Sequence, residues 1–241
     1  KQRGYALRFA DKSLKKDKEV VLAAVKQDGF VLRYADKSLQ QDKEIFMVAR
    51  KKVLAAVKED GTALKDADKS LKKDKEIVLA AIKTYYANYG SALGYADKSL
   101  RKDREIVMAS VKQDGRTLEY ADKSLKKDRE IVMAAVNKDG KKSWEGYGQT
   151  LEYAAKSLQK DREIVIAAIK ESGANLPFAD KSLRKDREIV MAAVKQDGTA
   201  LEDADESLQK DREIVMAAIK NDERAIEYAD KELRSDKVFM M

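Results

Sequence analysis

The stretch DREIVMAAVKQDG spans Asp186–Gly198, and near-copies of it begin at seven other aspartates: Asp17, Asp42, Asp74, Asp103, Asp128, Asp161 and Asp211. From Asp17 to Asp236 the spacings between successive opening aspartates are 25, 32, 29, 25, 33, 25, 25 and 25 residues, so five of the eight are identical. A short fixed period is typical of arrays in which each unit buries its apolar face against its neighbours. The sequence therefore predicts a tandem repeat protein.

Each unit is predicted to begin with an α-helix. In the unit that opens at Asp103, this aspartate is the N-cap, Glu105 is a favourable first-turn anion and Lys112 lies in the last turn. Gly115 is expected to end the helix in a left-handed conformation. The apolar side chains recur at helical spacing: Ile106, Val107, Ala109, Ser110 and Val111.

A second helix is predicted at Leu118–Leu125, where Leu118, Ala121 and Leu125 share one stripe. Pro177 would lie in the first turn of the corresponding helix in its own unit, where a missing N–H costs little. We expect Ala135 at a close helix contact and Lys126 in a solvated turn. Ala135→Asp should therefore be strongly destabilising and Lys126→Glu nearly silent.

Three insertions interrupt the period. The seven extra residues around Phe46–Lys52 equal about two helical turns, so a lengthened first helix should keep its apolar face in phase. The other two, at residues 85–90 and 141–148, fall between the two helices of their units. The predicted fold is an all-α α-solenoid of about eight two-helix (helix-turn-helix) repeats of 25 residues with three insertions. Residues 1–241 would form a single array, and the partial repeats at both ends predict a longer chain.

Composition excludes several classes of protein. Hydrophobic residues make up 44% of the chain and charged residues 39%, which predicts a folded, soluble protein. Cysteine and histidine are absent, so disulfides, thiolate metal sites and histidine-based catalysis are excluded. The longest apolar runs, such as Ile131–Val136, are about six residues and cannot span a bilayer. The recurring aspartates lack clustered oxygen ligands and form no unique pair, so we expect no metal site, no cofactor and no catalytic residue.

The unit D-[KR]-E-[IV]-V-x-A-[AS]-[VI]-K-Q-D-G-x-x-L-x-Y-A-D-K-S-L resembles a repeat family known as a domain of unknown function. The resemblance covers essentially the whole chain and implies tandem helical repeats, which occur in algae, protists, some large viruses and intracellular bacteria. It implies no catalytic residue, cofactor or substrate. The chain departs from the pattern at the insertions, at Glu223 where Gly198 stands one unit earlier, and at Ala155 where other units carry Asp.

The aromatic side chains of two insertions are candidate partner-binding residues, because stacking of the repeats does not require them. They are Tyr85, Tyr86, Tyr89, Trp144 and Tyr147. Large aromatic residues on loops are enriched at binding hot spots. The alternative is that they fold back and cover their own units.

A second aromatic set recurs at one position of the second helix: Phe9, Tyr34, Tyr95, Tyr120, Tyr153, Phe178 and Tyr228, with Asp66 and Asp203 in the other units. Beside Lys and Arg, such a ladder could stack the bases of a single-stranded nucleic acid. Packing between repeats is the alternative. The neighbouring carboxylates favour packing because they would repel phosphate: Glu119, Glu152, Glu202 and Glu227.

Charge is uneven along the chain. Residues 1–60 carry 15 basic and 9 acidic side chains, a net +6, whereas residues 181–241 carry 12 and 15, a net −3. Ends of opposite net charge permit head-to-tail self-association, and a basic end can attract an acidic partner.

The function expected from these features is a non-enzymatic scaffold or adaptor that presents a protein–protein interaction surface, such as a peripheral subunit of a larger assembly. The alternative is a nucleic-acid-binding repeat array. A third interpretation is a segment of a longer effector whose catalysis lies outside this chain. The sequence carries no signal for localisation.

Overall fold

The computed structural model describes residues 4–84, 92–138 and 149–236. The chain divides into two compact units, residues 1–113 and 114–241. Within the described ranges the regular structure is entirely helical, and it repeats with the period of the sequence. The all-α tandem-repeat prediction is thereby confirmed. Whether residues 1–241 act as a single array stays a prediction.

Each repeat begins with an α-helix. The first unit contains α1 (Lys18–Gln27), α2 (Lys43–Glu59), α3 (Lys75–Lys83) and α4 (Arg104–Val111). The second unit contains α5 (Arg129–Val136), α6 (Arg162–Glu171), α7 (Arg187–Gln196) and α8 (Arg212–Asn221). As predicted, an aspartate caps each one, and the side chain of Asp103 accepts from the N–H groups of Glu105 and Ile106. The lengthened helix α2 keeps its phase, with four buried side chains: Ile45, Ala49, Val53 and Val57.

A six-residue 3-10 helix follows most of the α-helices. These segments are Gly29–Tyr34, Gly61–Asp66, Gly115–Tyr120, Gly173–Phe178, Gly198–Asp203 and Glu223–Tyr228, and an equivalent one, Gly4–Phe9, precedes α1. Single-turn α-helices, Ala92–Tyr95 and Thr150–Tyr153, occupy this place after the other two insertions.

A further short helix of three to five residues closes most repeats: Lys12–Lys16, Lys37–Gln40, Leu71–Lys73, Leu100–Lys102, Leu125–Lys127, Leu183–Lys185, Glu206–Gln209 and Lys231–Ser235. The second helix is thus not the single helix Leu118–Leu125 that the sequence predicts.

The break between these segments has a physical cause in the Ala-Asp pair. Ala121 is extended, with φ −64° and ψ 149°, and Asp122 then starts a new turn by accepting from the N–H of Ser124 at 3.0 Å. The extended backbone lets the next residue bond to the preceding repeat, and the N–H of Asp180 donates to the carbonyl of Gln159 at 2.9 Å. The same bond joins Asp36 to Lys15, Asp97 to Lys72, Ala155 to Lys126, Asp205 to Arg184 and Asp230 to Gln209. The departure at Ala155 therefore leaves this backbone link intact.

The repeating glycine is needed for space and not for a left-handed turn, so that prediction for Gly115 is wrong. Gly115 begins a right-handed 3-10 helix, and the side chain of the extended Asp114 accepts from the N–H of Arg116. A Cβ atom at Gly198 would lie 2.4 Å from the carbonyl oxygen of Ala218 in the next repeat. Glu223, at the same position one repeat later, is exposed.

The location predicted for Pro177 is also wrong. Because the 3-10 helix begins at Gly173, Pro177 is its fifth residue and not part of a first turn.

The core of each repeat is built from the same positions. In α7 the side chains of Ile189, Val190, Ala193 and Val194 are fully buried, as is Leu201 of the following 3-10 helix. The first helices pack on those of adjacent repeats, α5 on α6, α6 on α7 and α7 on α8. Each helix thereby buries one face through its neighbours, as the periodicity predicts.

A long polar side chain caps the end of the 3-10 helix in several repeats. The Lys126 Nζ donates to the carbonyl of Glu119 at 2.8 Å and lies 5.8 Å from the centre of the Tyr153 ring. Burial lowers the pKa of Lys126. Lys72 donates in the same way to Lys65, and Gln209 to Leu201. The prediction that Lys126 lies in a solvated turn is therefore wrong.

We predict that Ala135→Asp lowers the free energy of unfolding by about 3 kcal/mol or more, because it places an unpaired charge where Ala135 is fully buried. Lys126→Glu is expected to cost about 1–2 kcal/mol, because a carbonyl loses its charged donor. Lys127→Glu is the control, since Lys127 is exposed. The equivalent Lys160 lies beside Asp180, but Ala155 occupies that aspartate's position next to Lys127. Denaturant unfolding of the three variants measures the ranking. Equal costs for Lys126→Glu and Lys127→Glu would contradict the capping role.

Candidate interaction surfaces

The predicted aromatic anchors lie outside the described residues. This applies to all five: Tyr85, Tyr86, Tyr89, Trp144 and Tyr147. Their role in binding a partner stays a prediction from the sequence.

The aspartate that opens each repeat uses its two carboxylate oxygens for different purposes. At the start of α6, the Oδ1 of the N-cap residue Asp161 accepts from the backbone N–H groups of Glu163 at 3.0 Å and Ile164 at 3.2 Å. Its Oδ2 accepts from the Nε of Arg129 in the preceding repeat at 2.9 Å. Arg129 also bonds to the Glu163 carboxylate. One carboxylate thus starts its own helix and fixes the neighbouring one.

This arrangement recurs in both units, and we call each instance a rung. In the first unit the rungs are Lys18 to Asp42 and Glu44, Arg50 to Asp74 and Glu76, and Lys75 to Asp103 and Glu105. In the second unit they are Arg129 to Asp161 and Glu163, Arg162 to Asp186 and Glu188, Arg187 to Asp211 and Glu213, and Arg212 to Asp236. These cations and carboxylates serve the contacts between repeats.

The aspartate of the Ala-Asp pair is likewise engaged. The Ser182 Oγ donates to the Asp180 Oδ1 at 2.7 Å, and the Lys160 Nζ lies 3.7 Å from the Asp180 Oδ2. Lys185 and Asp205 form the equivalent pair at 3.6 Å. The Ser182 hydrogen bonds lower the pKa of Asp180. Within residues 4–84, 92–138 and 149–236, no group of three or more acidic side chains is placed to hold a metal ion.

Most rings of the aromatic ladder are partly buried, whereas Phe9 at its start is 80% exposed. Tyr34, Tyr120 and Tyr228 all show intermediate exposure at the end of their 3-10 helices. The guanidinium of Arg33 lies 4.9 Å from the centre of the Tyr34 ring, donates to the Tyr34 hydroxyl at 2.8 Å and pairs with Asp66 of the next repeat at 3.1 Å. The aromatic position and its aspartate substitute are thus linked by one arginine.

Acidic groups accompany this ladder in the second unit. Glu202, together with partial burial, raises the pKa of the Tyr228 hydroxyl. Burial raises the pKa of Asp203. The neighbouring carboxylates Glu119, Glu152 and Glu227 are exposed. Such an environment favours packing of the rings over binding of phosphate.

The outward side of the first helices carries an apolar row that the sequence analysis did not identify. In the second unit it consists of the fifth residue of each helix, namely Met133, Ile166, Met191 and Met216, which we call the outward row. Met216 is 51% exposed, and the other three are partly exposed. Around Met191 a shallow depression is lined by Arg187, Glu188, Ala192 and Lys195. The sequence does contain this row, because an apolar residue recurs in every repeat of the second unit directly after the buried Ile-Val pair.

The comparisons with known proteins place the chain. Matches to the family model described as Domain of unknown function (DUF4116) tile residues 1–40, 17–49, 50–101, 86–126, 103–159, 128–184, 161–209, 186–234 and 211–241. The chain belongs to this family. Neither the curated proteins nor the solved structures gave a match. The resemblance seen in the sequence is thus confirmed, and the repeating helical unit of this chain is the DUF4116 repeat.

No helix in the described part of this DUF4116 chain is long and apolar enough to cross a membrane. The longest helix, α2, has 17 residues and includes Arg50, Lys51 and Lys52. The expectation of no spanning helix is confirmed for the residues described.

We predict that the stability of the repeats falls below about pH 4. Burial raises the pKa of Asp161, Asp186 and Asp211, but the rung guanidinium and the helix N–H groups outweigh it and hold each pKa below its usual value of 3.8. A lowered folded pKa contributes stability above the unfolded pKa and loses it as the pH falls through the folded pKa.

Denaturant unfolding between about pH 7 and pH 3 measures this loss. Asp186→Asn keeps an N-capping oxygen but removes the charge, so its stability should depend less on pH in this window. Unchanged wild-type stability between about pH 5 and pH 3 would contradict the prediction.

Proposed function

We propose that this DUF4116 chain is a non-enzymatic scaffold or adaptor that binds another protein through the outward side of its first helices. Such a protein would serve as a peripheral subunit of a larger assembly. The observation that carries the proposal is the outward row, Met133, Ile166, Met191 and Met216, which remains accessible after the repeats have stacked.

The uses of the recurring charged residues support this proposal. Asp161, Arg129 and Glu163 are engaged in one rung, and Asp180 caps a turn. Groups held in structural contacts of this kind are poorly available for acid–base chemistry. The partly exposed apolar side chains have no comparable structural use, and Met and aromatic side chains are the types enriched in protein interfaces.

The charge difference between the ends of the chain supports a further mode of assembly. Residues 1–60 carry a net +6 and residues 181–241 a net −3. Head-to-tail self-association is therefore part of the proposal, and the mass of the purified chain in sedimentation experiments tests it.

A nucleic-acid-binding array is the second candidate. The stacking of Arg33 on Tyr34, within the basic residues 1–60, favours it. The exposed carboxylates beside the ladder in the second unit oppose it. Binding of a single-stranded oligonucleotide that weakens steeply with salt would favour this candidate over the scaffold.

We predict that Met191→Glu/Met216→Glu loses the partner proteins that the wild-type chain recovers from its native cell extract. Two charges would lie in the apolar row, and the affinity for a recovered partner should fall about tenfold or more. The matched control is Lys181→Glu/Lys231→Glu, which alters exposed residues at a position where the chain itself carries Glu206. Thermal melts check that both variants fold. Recovery of the same proteins by both variants would contradict the proposed surface.

We also predict that Trp144→Ala reduces affinity for such a partner by about 2 kcal/mol or more while the melting temperature stays unchanged, if the insertion aromatics are anchors. Tyr86→Ala tests the other insertion. Affinity titrations and melts of both variants provide the measurement. Unchanged affinity with a lowered melting temperature would show that these aromatics only cover their own units.

A further inference from the structure

The seven-residue insertion in α2 is an addition to a repeat that is complete without it. If residues 46–52 are removed, Asp42–Ile45 continues into Val53–Lys58 as DKEIVLAAVK. The unit at Asp74–Lys83 reads DKEIVLAAIK. The insertion therefore supplies something that the repeat itself does not need.

The insertion keeps both the buried face and the rung of its helix. Ile45, Ala49 and Val53 are fully buried, so the apolar face stays continuous. In other repeats the first helical residue, such as Lys18 or Lys75, forms the rung. In α2 the rung comes instead from Arg50, inside the insertion, whose Nε lies 2.6 Å from the Asp74 Oδ2.

Because Arg50 forms the rung, Lys43 is not used in it, and α2 carries a distinctive outward stripe. The stripe consists of Lys43, Met47, Lys51, Leu54, Ala55 and Lys58, with Lys52 at its margin. At 1.5 Å per residue it extends about 22 Å along one helix. Met47 is 52% exposed, and a shallow depression at this end of the stripe is lined by Lys18, Asp42, Lys43, Glu44 and Met47.

The lysines of the stripe are exposed and uncompensated. Within the described residues, Lys43, Lys51, Lys52 and Lys58 form no ion pair, whereas Lys18 and Lys75 on the neighbouring helices each contact two carboxylates. The stripe also lies in the chain segment of net charge +6, residues 1–60. A positive surface of this kind attracts an acidic partner.

We propose that the outward stripe of α2 docks an acidic amphipathic helix of a protein partner. This rests on the proposed scaffold function and assigns it a second, specific surface. Cations and apolar side chains alternate along the stripe, so a ligand must supply both carboxylates and apolar groups. A phosphate backbone would satisfy Lys43 and Lys51 but would leave Met47 and Leu54 without apolar contacts. A helix with acidic and apolar residues on one face fits both.

The decisive variant deletes residues 46–52. It restores the ordinary repeat, and Lys43 becomes the first helical residue from which a rung to Asp74 can form. The melting temperature should therefore stay close to that of the wild-type chain. The stripe, however, is reduced to the pattern of every other repeat.

The probe is a synthetic helical peptide in which glutamates recur every four residues and leucines recur every four residues on the same face. Fluorescence polarisation measures its binding, and a scrambled peptide of the same composition is the control. The wild-type chain should bind the ordered peptide. The deletion and Lys51→Glu/Lys52→Glu should each weaken binding about tenfold or more. Lys69→Glu/Lys98→Glu, an equal change of charge at exposed residues of the same unit, should bind as the wild type does.

Equal binding of the scrambled peptide, or undiminished binding by the deletion variant, would overturn the proposal. Tighter binding of a single-stranded oligonucleotide than of the ordered peptide would overturn it in favour of nucleic acid. If the deletion variant does not fold, Met47→Glu/Lys51→Glu decides in its place. Partner recovery that depends on Met191 and Met216 is independent of this surface, so the scaffold proposal can hold when this one fails.

Discussion

The repeat depends on a single carboxylate that works in two directions. Asp161 accepts N–H groups at the start of its own helix and the guanidinium of Arg129 from the preceding repeat. A capping aspartate contributes about 1 kcal/mol, and an exposed ion pair contributes about 0–1 kcal/mol. Neither is large alone, but joining them in one side chain couples the helix start to the position of the neighbouring helix. The buried Ile, Val and Ala side chains pack in the same register that this aspartate holds.

This coupling explains why a folded protein carries so many charges. Arg187 belongs to a rung, Lys126 caps a 3-10 helix, and Lys160 lies beside Asp180. Each of these three charged side chains contacts a local turn or an adjacent repeat. The number of charged residues in the sequence therefore overstates how many are available to bind a ligand. The lysines of α2 differ from this pattern, because the insertion that adds Lys51 and Lys52 also adds Arg50, which takes the place of Lys43 in the rung.

The first helices and their period could be predicted from the sequence, because Asp103, Ile106 and Val107 occupy positions that α-helical geometry demands. The second helix could not. Leu118 and Ala121 have α-helical spacing, but the chain extends at Ala121 so that a backbone N–H can reach the preceding repeat. That bond involves no side chain, so the spacing of the apolar residues does not reveal it. Lys126 was misjudged for a related reason, since its partner is a backbone carbonyl seven residues earlier.

The candidate surfaces were predictable only in part. The aromatic residues of the insertions are recognisable because they depart from the repeat pattern. The outward row is not, because Met191 and Met216 occupy an ordinary position of the repeat. A residue that recurs can serve both stacking and binding, and the sequence cannot separate these uses without knowing which side of the helix is covered. The structure separates them through the exposure of Met216.

The lengthened helix α2 also restricts how this protein can change over time. Seven residues rotate an α-helix to within about 20° of two full turns, so the buried side chains and the rung cation return to register. An insertion of two or five residues would turn the apolar face towards water. Only certain insertion lengths are thus compatible with a first helix, whereas the segments between helices have no such restriction. New surface can enter a first helix only in lengths close to a whole number of turns, and here the added segment also supplies Arg50 as the rung cation.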